Sequence, residues 1–263
     1  MRYSYGSPTS KSGNCTDGEV ALHAAMHLRF GTRTIQTSGA ASDHAHLNVL
    51  RLRIHKRCIG GIIESFFRII SKATGSWLQS KFPEWFLPDK IVLKRQKENW
   101  EEEFDHEVIA YNRLRPIQGL TIPKLYGKIQ YANTRALILS DIGGSGLSIP
   151  DGAVLDEQDI EPLLHQALSS LNEYGVCHDD TRLDNFHLVA DEGKDKIMIV
   201  DLESADFDQT EEELAYMAKN KTKSLLHGLF EDEKMSIPGR GKSTSRSAQY
   251  IYDNSFKLVQ NLD

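Results

Sequence analysis

Between Val176 and Ser204 the chain reads VCHDDTRLDNFHLVADEGKDKIMIVDLES, and this stretch restricts the fold more than any other. Upstream of it, residues 156–175 carry Ile160, Leu163, Leu164, Ala167, Leu168 and Leu171 on one helical stripe, and Gly175 suits a left-handed cap. That helix delivers the chain into His178, Asp180 and Asn185, in the order H-x-D-x-x-x-x-N. A short hairpin follows, and its second strand, Ile197-Met198-Ile199-Val200, is an apolar run ending on Asp201. Any one of these polar residues alone is ordinary turn chemistry. Together they place an amide and two carboxylates on loops between rigid elements, the arrangement that binding and catalysis use.

The flanking chain predicts a mixed helix and strand protein. Lys90–Arg95 (KIVLKR) reads as a strand, with Ile91 and Leu93 on one face and Val92 and Lys94 on the other. Residues 100–114 read as an acidic amphipathic helix whose apolar positions Phe104, Val108, Ala110 and Tyr111 bracket Glu107. Two strands are expected over 122–127 and 136–140, then a flexible Gly143-Gly144-Ser145-Gly146 connector, and an acidic helix over 209–230. Residues 59–87 are apolar and aromatic, with Ile62, Phe66, Ile69 and Ile70 at helical spacing. Residues 1–58 are rich in small and polar residues, and we expect them to be mostly disordered, with one short helix at 17–30. Residues 233–263 read as a polar tail, which leaves 59–232 as the folded domain and 88–230 as its motif-bearing part.

Two decoys are set aside. His23 and His27 are four apart, but Ala24 stands where the zinc pattern HExxH needs Glu, and Asp43-His44-x-His46 is equally thin. Gly241-Lys242-Ser243 ends like a P-loop, but Ser236 occupies the place of its first glycine.

HDDTRLDNFHLV and IMIVDLES, followed by the EEEL helix, resemble the catalytic and metal-binding loops of the protein-kinase-like superfamily, above all its small fungal-type members. The Asp201-Leu202-Glu203 triplet, in place of D-F-G, is similar to that of choline-kinase-like enzymes. The resemblance implies an α+β, two-lobed fold with an abbreviated amino lobe and a truncated carboxyl lobe, binding ATP and Mg²⁺ between them. It implies that Asp180 is the base, His178 braces the loop and Arg182 neutralises the transferring phosphate. Asn185 and Asp201 would be the metal ligands. Lys94 would hold the α- and β-phosphates, fixed by Glu107, with Glu102 and Glu103 as competitors for that role. Leu139–Ile142, including Asp141, would be the hinge that holds the adenine.

No G-x-G-x-x-G precedes Lys94, no A-P-E follows Asp201, and the chain after Asp201 is too short for a peptide-docking helical subdomain. The expected activity is transfer of a γ-phosphate to a hydroxyl of a protein or small molecule. The alternatives are a pseudokinase that binds nucleotide or a partner without turnover, and a truncated chain with no stable active domain. A net charge of −6 argues against a nucleic-acid partner. Three scattered cysteines, no hydrophobic leader after Met1 and no apolar run of about 20 residues point away from a membrane and toward a cytoplasmic or nuclear setting.

Overall fold

The computed structural model describes residues 26–42, 46–55, 76–191 and 193–236. It is an α+β structure built on a mostly antiparallel sheet. Six strands, β1 (Met26–Phe30), β2 (Arg33–Ala41), β3 (Val49–His55), β4 (Lys90–Arg95), β5 (Leu125–Tyr131) and β6 (Thr134–Ser140), pair in the order β1-β2-β3-β4-β6-β5. The sheet curls until its outer strands meet: the Phe30 ring packs over Gly127, where a Cβ would lie 2.7 Å from it, and the Tyr131 hydroxyl donates to Met26 Sδ at 3.1 Å. Leu28, Ile35, Leu52, Ile91, Leu93 and Ile138 fill the inside of the curl.

This corrects the expectation for residues 1–58. The described residues of 26–55 form three strands of the same sheet as β4, so the folded part does not begin at 59. The physical signal is alternation, not composition. Leu28 and Phe30, then Leu52 and Ile54, face inward between exposed His27, Arg29, Arg51 and Arg53. The short helix expected at 17–30 is replaced over 26–30 by β1; its earlier part, His23 included, lies outside the described residues. Ile62–Ile70, Asp43, His44 and the tail from 237 lie outside them as well. Helix α1 (Ser76–Lys81) leads to Glu84, which is buried and accepts from the backbone N–H and the hydroxyl of Thr32, tying 76–87 to the β1–β2 turn.

Most elements expected downstream form close to their predicted bounds; the strand expected over 122–127 forms three to four residues later, as β5. Helix α2 (Glu101–Arg113) buries Phe104, Val108 and Tyr111. The β5–β6 hairpin turns on Ala132 and Asn133, both at positive φ, as a two-residue turn between right-twisted strands demands. Gly143 and Gly144 take φ near +64°, and Ser145–Gly146 form a short strand, β7, rather than a loose connector. Helix α3 (Glu157–Asn172) ends at Gly175, which is left-handed at φ 64. Then come β8 (Cys177–His178), the hairpin β9 (Phe186–Asp191) and β10 (Lys194–Ile199), β11 (Ala205–Asp206) and α4 (Glu211–Ser236). Helix α4 runs past the expected end at 230 and takes in the first residues assigned to the tail. Helices α2, α3 and α4 with β9 and β10 enclose the larger core, around Tyr111, Ile160, Leu164, Leu171, Phe186 and Ile199. Among the described residues no helix is long and apolar enough to cross a membrane.

Membership of β1 in the core is tested by Leu28→Ala. We expect it to cost about 2–5 kcal/mol in urea denaturation, whereas His27→Ala, outward on the same strand, should stay within about 0.5 kcal/mol. A neutral Leu28→Ala would remove residues 26–30 from the sheet core.

Candidate active site

Alternation along β4 sets the site. Ile91 and Leu93 enter the curled sheet, so Val92 and Lys94 face the other way, toward α2. On α2, Glu107 falls within the inward stripe between Phe104 and Tyr111 and has no exposed surface. Its competitors Glu102 and Glu103 lie off that stripe, and neither is buried. Both Glu107 carboxylate oxygens lie 2.8 Å from Lys94 Nζ, an ion pair whose members are 7% and 0% exposed.

Asp201 completes the arrangement from the carboxyl-terminal side. It follows β10 in the left-handed region, at φ 58, a conformation that Asp tolerates better than most residues. His178 holds that turn: its Nε2–H is shared between the carbonyls of Val200 at 3.2 Å and Asp201 at 3.0 Å. Lys221 of α4 fastens the loop from below, donating to the His178 carbonyl and to Asp179 Oδ1, each at 2.6 Å. Asp201 Oδ1 then lies 2.8 Å from Lys94 Nζ. A third acid, Glu203, reaches the same ammonium with Oε1 at 3.0 Å and Lys97 Nζ with Oε2 at 2.6 Å.

These groups titrate as their surroundings require. Burial disfavours the Lys94 ammonium, but Glu107, Asp201 and Glu203 more than reverse this and hold its pKa above the ordinary lysine value. Burial pushes the Glu107 carboxyl up, and Lys94 offsets only part of that. For Asp201 burial also pushes upward, yet the attraction of Lys94 prevails and keeps its carboxyl below the usual aspartate range. Burial lowers the His178 pKa, which keeps the ring neutral; its Nδ1 is buried without a hydrogen-bond partner, so a second proton would be stranded there.

A cleft of about 370 Å³ opens over this cluster. Lys94, Glu107, Leu139, Asp141, Asn185 and Asp201 all line it. Asn185 is fixed by backbone bonds in both directions, to Arg182 O and from Val200 N, and its side-chain amide donates to Asp180 O at 3.4 Å. His178 sits beneath as the brace of the Asp201 turn. Asp180 and Arg182 are not among the lining residues: Arg182 Nε lies 3.3 Å from Asp180 Oδ2 and 3.4 Å from Asp184 Oδ1, clasping the two acids on the adjoining turn. On the β2–β3 side the cleft is bordered by Ser42, His46 and Arg51. His46 lies 3.7 Å from Asp184, and Arg51 lies 4.0 Å from Asp141.

Sequence reasoning passed over Glu203, Lys97 and Lys221, and also the β2–β3 residues, because it assigned no strands there. The Asp-x-Glu triplet was the available signal for Glu203; nothing local marks Lys221, which arrives from a separate helix. The pattern Asp43-His44-x-His46, set aside as a metal motif, contributes His46 to the cleft rim. Among the described residues, no group of three or more His, Cys, Asp or Glu side chains is placed to hold a metal by itself. No protein-family model matches the chain, and a search of curated proteins finds none similar to it.

Two stability measurements check the cluster. Lys94→Met strands three carboxylates and should cost about 3–5 kcal/mol in denaturant unfolding, clearly more than Glu107→Gln, which leaves Lys94 two acids; equal costs would contradict the shared ammonium. The depressed His178 pKa contributes stability that is complete above the unfolded imidazole value, about 6.5. It is lost as pH falls below that, since the unfolded ring binds a proton the folded ring refuses. Stability followed from pH 7.5 to 5 should therefore decline, and His178→Phe should flatten the decline.

Proposed function

We propose that this chain is an ATP- and Mg²⁺-dependent phosphotransferase with a two-lobed, protein-kinase-like fold, acting on a hydroxyl of a protein or small molecule. The observation that carries this is the buried Lys94–Glu107 ion pair lying against Asp201 in the cleft that Asn185 also lines. A lysine strand, a helix glutamate and a post-strand aspartate converging on one point, from segments 13 and 107 residues away from Lys94, is what holding a polyphosphate requires. The β2–β3 hairpin supports it, since its Ser42, His46 and Arg51 border the cleft where a phosphate-covering loop belongs, although its sequence carries no glycine triad.

The donors present fit Mg²⁺ carried by a nucleotide. Asn185 and Asp201 offer hard oxygen atoms in one cleft, and two protein ligands are what a cation that keeps phosphate and water oxygens needs. When bound, MgATP supplies the phosphoryl group and the charge that neutralises it. The protein's part is positional. The Lys94 ammonium, held at fixed height by Glu107, would meet phosphate oxygens, and Leu139 and Asp141 would border the base. The Asp180 carboxylate takes the proton of the acceptor hydroxyl, and Arg182 balances charge beside it. His178 and Lys221 keep the loop in register without touching substrate.

A second reading, a nucleotide-binding module without turnover, is favoured by one observation: Asp180 is paired with Arg182 instead of being presented to the cleft. Thermal unfolding tests nucleotide binding, which both readings share, and does not separate them. ATP with Mg²⁺ should raise the melting temperature, since a ligand of the native state alone stabilises it, and Asp201→Asn should abolish most of the Mg²⁺-dependent part. An unchanged melting curve would sink both readings. Comparison of ATP turnover in the wild type and Asp180→Ala then decides between them: a fall of roughly a hundredfold or more marks a base, and equal rates mean no catalysis at this site.

A further inference from the structure

Glu203 takes no part in the steps above, yet it is joined to both lysines of the cluster. Its carboxylate is 10% exposed and bridges Lys94 at 3.0 Å and Lys97 at 2.6 Å. Its carbonyl accepts from His106 Nδ1–H at 3.3 Å, and Leu202 beside it is fully buried, so α2 and the core both hold the segment in place. Lys97 is the more exposed lysine, at 31%, and its ammonium lies 4.2 Å from the centre of the Trp100 ring.

An ammonium has three N–H donors; Lys94 donates to Glu107 and Asp201, and Glu203 lies 3.0 Å away as a third carboxylate around it. A phosphate reaches Lys94 only by displacing one of them. Glu107 is sealed in the α2 stripe, and the Asp201 turn is held by His178. Glu203 alone of the three is in direct ion-pair contact with a second lysine, Lys97, which can retain it when it leaves. The charge balance points the same way: two lysines face three carboxylates, so a bare polyphosphate meets net repulsion that a divalent cation removes.

We infer that Glu203 is a positioning residue that occupies Lys94 until a cation-loaded nucleotide displaces it onto Lys97, and so couples nucleotide binding to the divalent cation. This rests on the phosphotransferase assignment above. The test is calorimetric titration of the full chain with the non-hydrolysable ATP analogue adenylyl imidodiphosphate, in Mg²⁺ and in EDTA. Wild type should bind the Mg²⁺ form at least roughly tenfold more tightly. Glu203→Gln, which keeps shape and removes charge, should strengthen metal-free binding by roughly tenfold while leaving Mg²⁺-loaded binding within about threefold. Lys97→Met, at a partly exposed position, should shift metal-free binding the opposite way. A merely structural Glu203 would weaken both forms to the same degree when replaced; that outcome, or a wild type indifferent to Mg²⁺, overturns the inference and leaves the phosphotransferase assignment standing. Binding in neither form overturns the assignment itself.

Discussion

The Lys94 ammonium is the constraint on which the rest of this structure depends. It is buried, and a buried cation is tolerated only where carboxylates and hydrogen bonds replace its lost water. Two segments supply those carboxylates: α2 through Glu107, and the stretch after β10 through Asp201 and Glu203. Each segment is fixed by apolar packing that has nothing to do with charge. The pair therefore adds little net stability of its own, but it punishes any arrangement that separates its members. It specifies how the curled sheet and the helical core meet.

Around that point the polar supports form a short chain of dependence. Asp201 sits in a left-handed turn, which exposes its carboxylate toward Lys94 and leaves its own carbonyl to be satisfied by His178. The carbonyl of His178 is in turn bonded by Lys221 from α4. A helix remote from the cleft thus braces the residue that faces it, and the neutrality of the His178 ring is part of the brace, because only a single N–H is needed and only one is accommodated.

The legible parts of the sequence were those with strong local periodicity. In β4, inward Ile91 and Leu93 placed Lys94 on the opposite face, and the two helices flanking residues 176–204 announced themselves by their apolar stripes. The strands of residues 26–55 escaped notice because low average hydrophobicity hid a period-two pattern: RLRIH buries Leu52 and Ile54 and exposes the residues between. Glu107 was recognisable among its acidic neighbours only through its place on the buried stripe. Asp180 and Arg182 were expected to reach the cleft directly, and their mutual ion pair, with Asp184 added, holds them on its flank instead.

By itself the sequence determined which residues carry charge and amide chemistry, and on which kind of element each sits, because helix and strand periods act over a few residues. What only the tertiary structure decided is which of them meet. Glu203 and Lys97 belong to the Lys94 cluster, Lys221 belongs to the loop it braces, and His46 and Arg51 belong to the cleft, through contacts spanning tens of residues that no local pattern encodes. The physical reason is that burial selects partners. A charge removed from water must find its counter-charge wherever the packing of apolar faces happens to bring one within about 3 Å, and that packing is a property of the whole chain.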